Sequence, residues 1–260
     1  MSNANQQSPE ALVAEAERAG AALDRVRTEI GKTIFGQERV IELTLAAILS
    51  GGHVLLVGAP GLAKTRLVEA MARVLGLDWA RVQFTPDLMP ADILGSEVLD
   101  QDAQGRRHFR FVKGPIFTQL LMADEINRAS PRTQSALLQA MQEHHVTVAG
   151  QAYDVPRPFH VLATQNPIEH EGAYPLPEAQ LDRFLLQVDV PYPDAEIERK
   201  ILIETTGLES AQPATVLNAE ALMRLQHLVR SMPVGEKVLA AILNLVRSAR
   251  PGASHDARVN

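Results

Sequence analysis

The sequence contains no cysteine. Disulfides and cysteine-ligated zinc are therefore excluded, and the composition suits a reducing cytoplasm, the compartment expected for this chain. Aromatic residues make up only 4% of the 260 residues, so aliphatic side chains must fill the core. An excess of positive charge is lacking too: 25 Lys and Arg stand against 31 Asp and Glu, for a formal net charge of -6. A chain that grips nucleic acid through its phosphates is usually basic, so nucleic acid is not expected as the main partner. No apolar run is long enough to span a bilayer, and the polar opening "MSNANQQSPEALVAEAERAG" has no apolar stretch of a secretory signal. None of the 8 histidines pairs with another at the helical spacing of H-E-x-x-H. The nucleophile elbow G-x-S-x-G and the dinucleotide fingerprint are also missing.

Apolar residues are plentiful, at 46%, and their pattern alternates between two periods. After a polar stretch, Met1 to Ser8, expected to be a disordered tail, Ser8 and Pro9 read as the start of a helix running to about Lys32. "GQERVIELTLAAILSGG" reads as a second helix. "HVLLV", "ARVQFT", "QLLMADE", "FHVLATQN" and "FLLQVDV" are short apolar runs without strict alternation, as strands buried on both faces require. Helices are expected over Lys64 to Leu75 and Pro131 to Glu143. Strands alternating with helices predict an α/β fold, a parallel sheet covered on both faces. "EVLDQDAQGRRHFRFVKG" and "HVTVAGQAYDVPRP" break that rhythm and read as inserted β-hairpins. After "PYPD" the pattern turns helical to the end, which places a boundary near Tyr192.

Four stretches carry chemistry. In "HVLLVGAPGLAKTRLVEAMARVLG", a strand, a glycine loop and a helix follow one another, the context a phosphate loop needs. Gly58, Ala59, Pro60, Gly61, Leu62, Ala63, Lys64, Thr65 and Arg66 would wrap the phosphates, with the helix N-terminus and the backbone N–H groups of all but Pro60 as donors. Lys64 is placed for the outer phosphates and Thr65 for magnesium. Ala63 stands where the pattern G-x-x-x-x-G-K-[ST] has its second glycine. It is expected to be helical already, a conformation in which an L-residue is comfortable. The second stretch is "LLMADE", which puts Asp124 and Glu125 at the carboxyl end of a strand, where open parallel sheets meet their ligands. One carboxylate can hold magnesium and the other can polarise water, the two roles phosphoryl transfer needs. In the third, "VLATQNP", Asn166 can orient water or touch a terminal phosphate, or can simply make an Asn-Pro turn. In the fourth, "PEAQLDRF", Arg183 can reach a neighbouring subunit's phosphate, or pair with Asp182 or Glu178.

This order of elements is that of AAA+ ATPases, and longer strings resemble the MoxR family: "GQERV", "GAPGLAKT", "VQFTPDLMPADILG", "GPIF", "ADEINRASPRTQSALLQAMQE", "VTVAG", "LATQNPIEHEGAYPLPEAQLDRF" and "PYPD". The likeness runs from about Ile34 to Pro193, and alanine at the position of Ala63 is a family variant. The resemblance implies a tail and helix over 1–33, an AAA+ αβα P-loop NTPase core over 34–192, and a helical lid over 193–260. It implies ATP and Mg2+ as cofactors. Lys64 and Thr65 would be the Walker A pair, and Asp124 and Glu125 the Walker B pair. Asn166 would be sensor 1 and Arg183 the arginine finger, with Arg128 a second arginine able to act across a subunit boundary. Gly36 and Gln37, within Phe35 to Glu38, would lie near the adenine. The resemblance further implies a homo-oligomer, hexameric, working with a von Willebrand factor A domain protein on a client protein complex, as a chaperone or cofactor-insertion machine. The final "RPGASHDARVN" lacks the family's sensor 2 arginine, for which Arg258 is a poor substitute, so the lid is expected to be incomplete. A nucleotide-gated binding module without turnover and a nucleic-acid motor are the competing functions.

Overall fold

The structure is a computed structural model that describes residues 9–102, 104–168, 174–206 and 212–250. The expected tail, the Ser8 cap and the whole "PGASHDARVN" end, with Arg258, lie outside the described residues.

Strands β1 (Val54–Val57), β2 (Trp79–Gln83), β5 (Leu120–Asp124), β8 (His160–Gln165) and β9 (Leu186–Asp189) form one sheet in the order β2-β5-β8-β1-β9. Every neighbouring pair is parallel. The absence of alternation in these strands has a direct cause. Val54 and Leu56 of β1, Leu120 and Met122 of β5, and Leu162 of β8 point into one apolar layer. Leu55, Leu121, Ala123, Val161 and Ala163 point into the other. Period 2 persists in the backbone, but both faces want apolar side chains. Helices α1 (Pro9–Gly31), α2 (Glu38–Leu49) and α3 (Lys64–Leu75) cover the first face. Helices α4 (Pro90–Leu94) and α5 (Pro131–Glu143) cover the second. The start of α5 is fixed locally, by Pro131 in its first turn and by the Ser130 hydroxyl, which accepts from the Thr133 N–H.

The two segments read as hairpins are hairpins: β3 (Gly95–Gln101) with β4 (Arg107–Lys113), and β6 (His145–Val148) with β7 (Gln151–Asp154). They lean on one another where Phe111 stacks on Tyr153, ring centroids 4.1 Å apart. Beyond the short α6 (Glu178–Leu181) and β9, the chain is helical: α7 (Ala195–Thr206), α8 (Ala219–Ser231) and α9 (Glu236–Ser248). Asp194 starts α7 by accepting from the Ile197 N–H, and Asn218 starts α8 by accepting from Ala221. Helix α8 docks through Leu222 and Leu228, whereas every residue of α9 is exposed, Ile242 and Leu243 included.

Candidate functional site

The loop of residues 58–63 leaves the carboxyl end of β1 and enters α3. It is pinned at both flanks: Gly58 N–H donates to the Gln165 carbonyl of β8, and Val190 N–H donates to the Val57 carbonyl. Gly61 holds φ +84°, a left-handed backbone that glycine adopts freely. Ala63 also is left-handed, at φ 55° and ψ 21°, as the N-cap of α3. This corrects the expectation that Ala63 is already helical: the turn into the helix demands αL at this position, and alanine bears a strain of about 1 kcal/mol to supply it.

Lys64 folds back over its own loop, with Nζ donating to the carbonyls of Gly58 at 2.8 Å and Ala59 at 2.7 Å. Burial holds its ammonium below the ordinary lysine range, while the charges of Asp124 and Glu125 pull it back up. Lys64 therefore lies in the field of both acids, although they come sixty residues later on another strand. Thr65 is half-buried beside it, and Arg66 is exposed in the first turn of α3.

Asp124 is the last residue of β5 and is buried. One carboxylate oxygen accepts from the Thr164 hydroxyl. The other accepts from Arg81, at 3.1 Å from Nε and 2.6 Å from Nη2. Glu125 follows in left-handed backbone, φ 55°, which turns it out of the strand. Its N–H donates to the Thr164 hydroxyl at 2.9 Å, and its Oε2 accepts from Gln83 at 2.6 Å and Arg128 at 2.9 Å. Two adjacent acids thus face the crevice with different partners, because one ends a strand and the next starts the 3-10 turn Ile126–Arg128. Asn166 is buried one residue past β8, and its Oδ1 accepts from the Ile168 N–H. The Asn-Pro turn is therefore formed.

Gln37, the N-cap residue of α2, reaches the phosphate loop: Nε2 donates to the Leu62 carbonyl at 3.0 Å, and its buried Oε1 has no partner among the described residues. Gly36 lies under α7, where an added Cβ would stand 2.6 Å from Ile197. Lys200 of the same helix sits 4.7 Å above the Phe35 ring. The segment Phe35 to Gln37 is thus held between the loop and the helical region. Arg183 is exposed on the far side of α6, in a hollow of about 440 Å³ that Met141, Gln142, Ala179 and Asp182 also line. Among the described residues it has no ion-pair partner, so the alternative pairing with Asp182 or Glu178 is not made.

The residues present fit a magnesium–nucleotide. Asp124 is a buried carboxylate that already requires a cation beside it, and Lys64, the loop amides and a helix start supply positive ends for phosphates. No cluster of three or more His, Asp or Glu able to hold a metal occurs among the described residues. Arg81, Gln83 and Thr164 escaped the reading of the sequence. Their signal was polar residues breaking apolar strands, at alternate positions in "ARVQF" and two before Asn166 in "LATQN".

Comparison with known proteins agrees with this geometry. The ATPase family associated with various cellular activities (AAA) matches residues 53–186. Chaperone MoxR1 of Mycobacterium tuberculosis is 46% identical over 228 residues, 88% of this chain and 59% of MoxR1. The chain thus spans about three fifths of that relative's length. Protein MoxR of Methylorubrum extorquens is 32% identical over 246 residues, 89% of this chain and 70% of that protein. A crystal structure from Cytophaga hutchinsonii superimposes with TM-score 0.82 at 38% identity, over 92% of this chain and 73% of the other. A phosphate loop facing two strand-end acids on a β2-β5-β8-β1-β9 sheet, with relatives of this identity and coverage, means that the chain belongs to the MoxR family of AAA+ ATPases.

Proposed function

We propose that this chain binds and hydrolyses Mg-ATP between subunits of a homo-oligomer, a hexamer, and uses the cycle to remodel a client protein complex in the cytoplasm. The observation that carries the reading is that the loop after β1 and the acids Asp124 and Glu125 after β5 leave the same carboxyl edge of one parallel sheet, with only β8 between the two strands. Lys64 and the loop amides hold the outer phosphates. Thr65 and Asp124 hold magnesium, which when bound neutralises charge on the transferring phosphoryl group. Glu125 polarises the attacking water once freed from Gln83 and Arg128, and Asn166 orients it through its side-chain nitrogen. Arg183, exposed and unpaired among the described residues, serves the neighbouring subunit's nucleotide, and Arg128 is the second candidate for that task. Gly36 and Gln37 line the base, against α7. Residues 34–192 act as the ATPase core and 193–260 as the lid. A chaperone role is supported by the name of the relative MoxR1, and a von Willebrand factor A domain protein is the proposed partner.

Lys64→Ala is expected to lower magnesium-dependent ATP hydrolysis at least a hundredfold, because charge compensation supplies most of the catalysis. Glu125→Gln should bind ATP normally yet turn over slowly. Turnover unchanged by Lys64→Ala would sink the assignment. The hold on Glu125 by Gln83 and Arg128 favours one second reading, a module gated by nucleotide occupancy alone. Equal partner capture with ATP and with a non-hydrolysable analogue would select it.

A further inference from the structure

The carboxylate assigned to the metal already has a positive partner. Arg81 stands on β2, the edge strand next to β5, and both of its contacts with Asp124 fall on the same oxygen, Oδ2. The other oxygen is taken by Thr164. The two partners differ in access to water: the Asp124 side chain is 12% exposed and that of Arg81 is 46% exposed. A carboxylate this buried is costly to keep charged without compensation. Arg81 compensates it by position alone, since a guanidinium keeps its proton. Half in solvent, it can also withdraw by swinging its stem.

We infer that Arg81 is the resident counter-cation of Asp124, which magnesium must displace, so that Arg81 sets how much magnesium the site requires. The inference rests on the proposed nucleotide site. Magnesium and the guanidinium compete for one outward oxygen, and two cations beside a single carboxylate repel. Part of the binding energy of the metal is therefore spent in breaking the Arg81 contacts. The released group has somewhere to rest, because Arg81 Nη2 also donates to Gln83 Oε1 at 2.9 Å, on its own strand. Arg81 is a positioning residue in this account, because it acts through Asp124.

The test is a magnesium titration of the binding of a fluorescent, non-hydrolysable ATP analogue. Arg81→Met keeps the apolar stem and removes the charge. The magnesium concentration for half-maximal binding should fall roughly five- to tenfold, the worth of a charge-assisted contact on a half-exposed donor. Arg81→Lys should shift it less. Without magnesium, in excess chelator, nucleotide affinity should stay as in the parent. The nucleotide-free Arg81→Met protein should melt at lower temperature in chelator and recover more than the parent when magnesium and analogue are added. A midpoint that stays or rises overturns the inference, as does weaker binding in chelator, which would make Arg81 a phosphate contact. Arg81→Gln carries the same criteria if the methionine variant does not fold. A parent that binds no analogue at any magnesium concentration overturns the nucleotide site itself, whereas a parent that binds beside an unshifted variant overturns only the role of Arg81.

Discussion

The sheet has two polar ends, and they are built differently. At the carboxyl ends of the strands, Lys64, Asp124, Glu125, Arg81 and Arg128 are charged. Arg81 holds Asp124 and Arg128 holds Glu125 through side chains that remain partly in water, while Lys64 rests on the carbonyls of Gly58 and Ala59. At the amino ends stand two buried histidines, His53 before β1 and His160 opening β8, and their partners are mostly main-chain groups. His53 Nδ1 accepts from the Val161 N–H, and its Nε2 lies 3.3 Å from the Met141 carbonyl. His160 Nδ1 lies 2.8 Å from the Gly52 carbonyl, and its Nε2 lies 3.0 Å from Gln226 of α8, whose side chain also donates to the Ile48 carbonyl. Backbone partners cannot leave without unfolding, so the amino end is a fixed joint within the core, to which α8 is tied through the side chain of Gln226. Side-chain partners can exchange, so the carboxyl end can accept a ligand. The same chemistry of buried polar groups yields a structural joint or a site, depending on whether the partners can be replaced.

Acid is expected to destabilise the amino end. Burial, and then the charge of nearby His160, pushes the His53 pKa down to about 4. The folded protein therefore binds fewer protons there than the unfolded chain does between its ordinary pKa near 6.5 and about 4. The stability from neutral His53 is complete above pH 6.5 and is lost as pH falls toward 4, by about 3 kcal/mol in all. His160, also depressed by burial, acts in the same direction. Urea unfolding at pH 7 and pH 5 should show the loss, and His53→Gln should flatten it. An unchanged midpoint between these pH values would contradict the joint described above.

Removing one hydroxyl tests the carboxyl end. Thr164 is fully buried, donates to Asp124 and accepts from the Glu125 N–H. Thr164→Val keeps the shape and leaves two groups unpaired, for an expected loss of about 2 kcal/mol in denaturant unfolding. A loss near zero would mean that water or Arg81 replaces the hydroxyl without cost.

The smallest effect belongs to the loop. Ala63→Gly relieves the left-handed strain but adds freedom to the unfolded chain, so the two terms nearly cancel and a gain under about 1 kcal/mol is expected. A marked destabilisation would show that the methyl of Ala63 packs usefully at the entry to α3.

The loop, the two acids, both hairpins and the helices α3 and α5 were legible as local patterns, because each is specified by residues close in sequence: Gly61 for a turn, Ser130 and Pro131 for a helix start, unbroken apolar runs for strands buried twice. The left-handed backbone of Ala63 is not legible in the sequence, because the angle there is set by how the loop must meet the helix and carries no mark in residue type. Arg81, Gln83 and Thr164 were not seen as part of the site at all, because their partners arrive from other strands.

The amino-acid order by itself determined which elements form and which chemical groups each carries to its end. Only the tertiary structure decided that β2 and β8 flank β5, and so that Arg81 and Thr164 share one carboxylate. Pairing across a parallel sheet joins segments some forty residues apart, and no local rule of propensity or spacing encodes which strand becomes the neighbour.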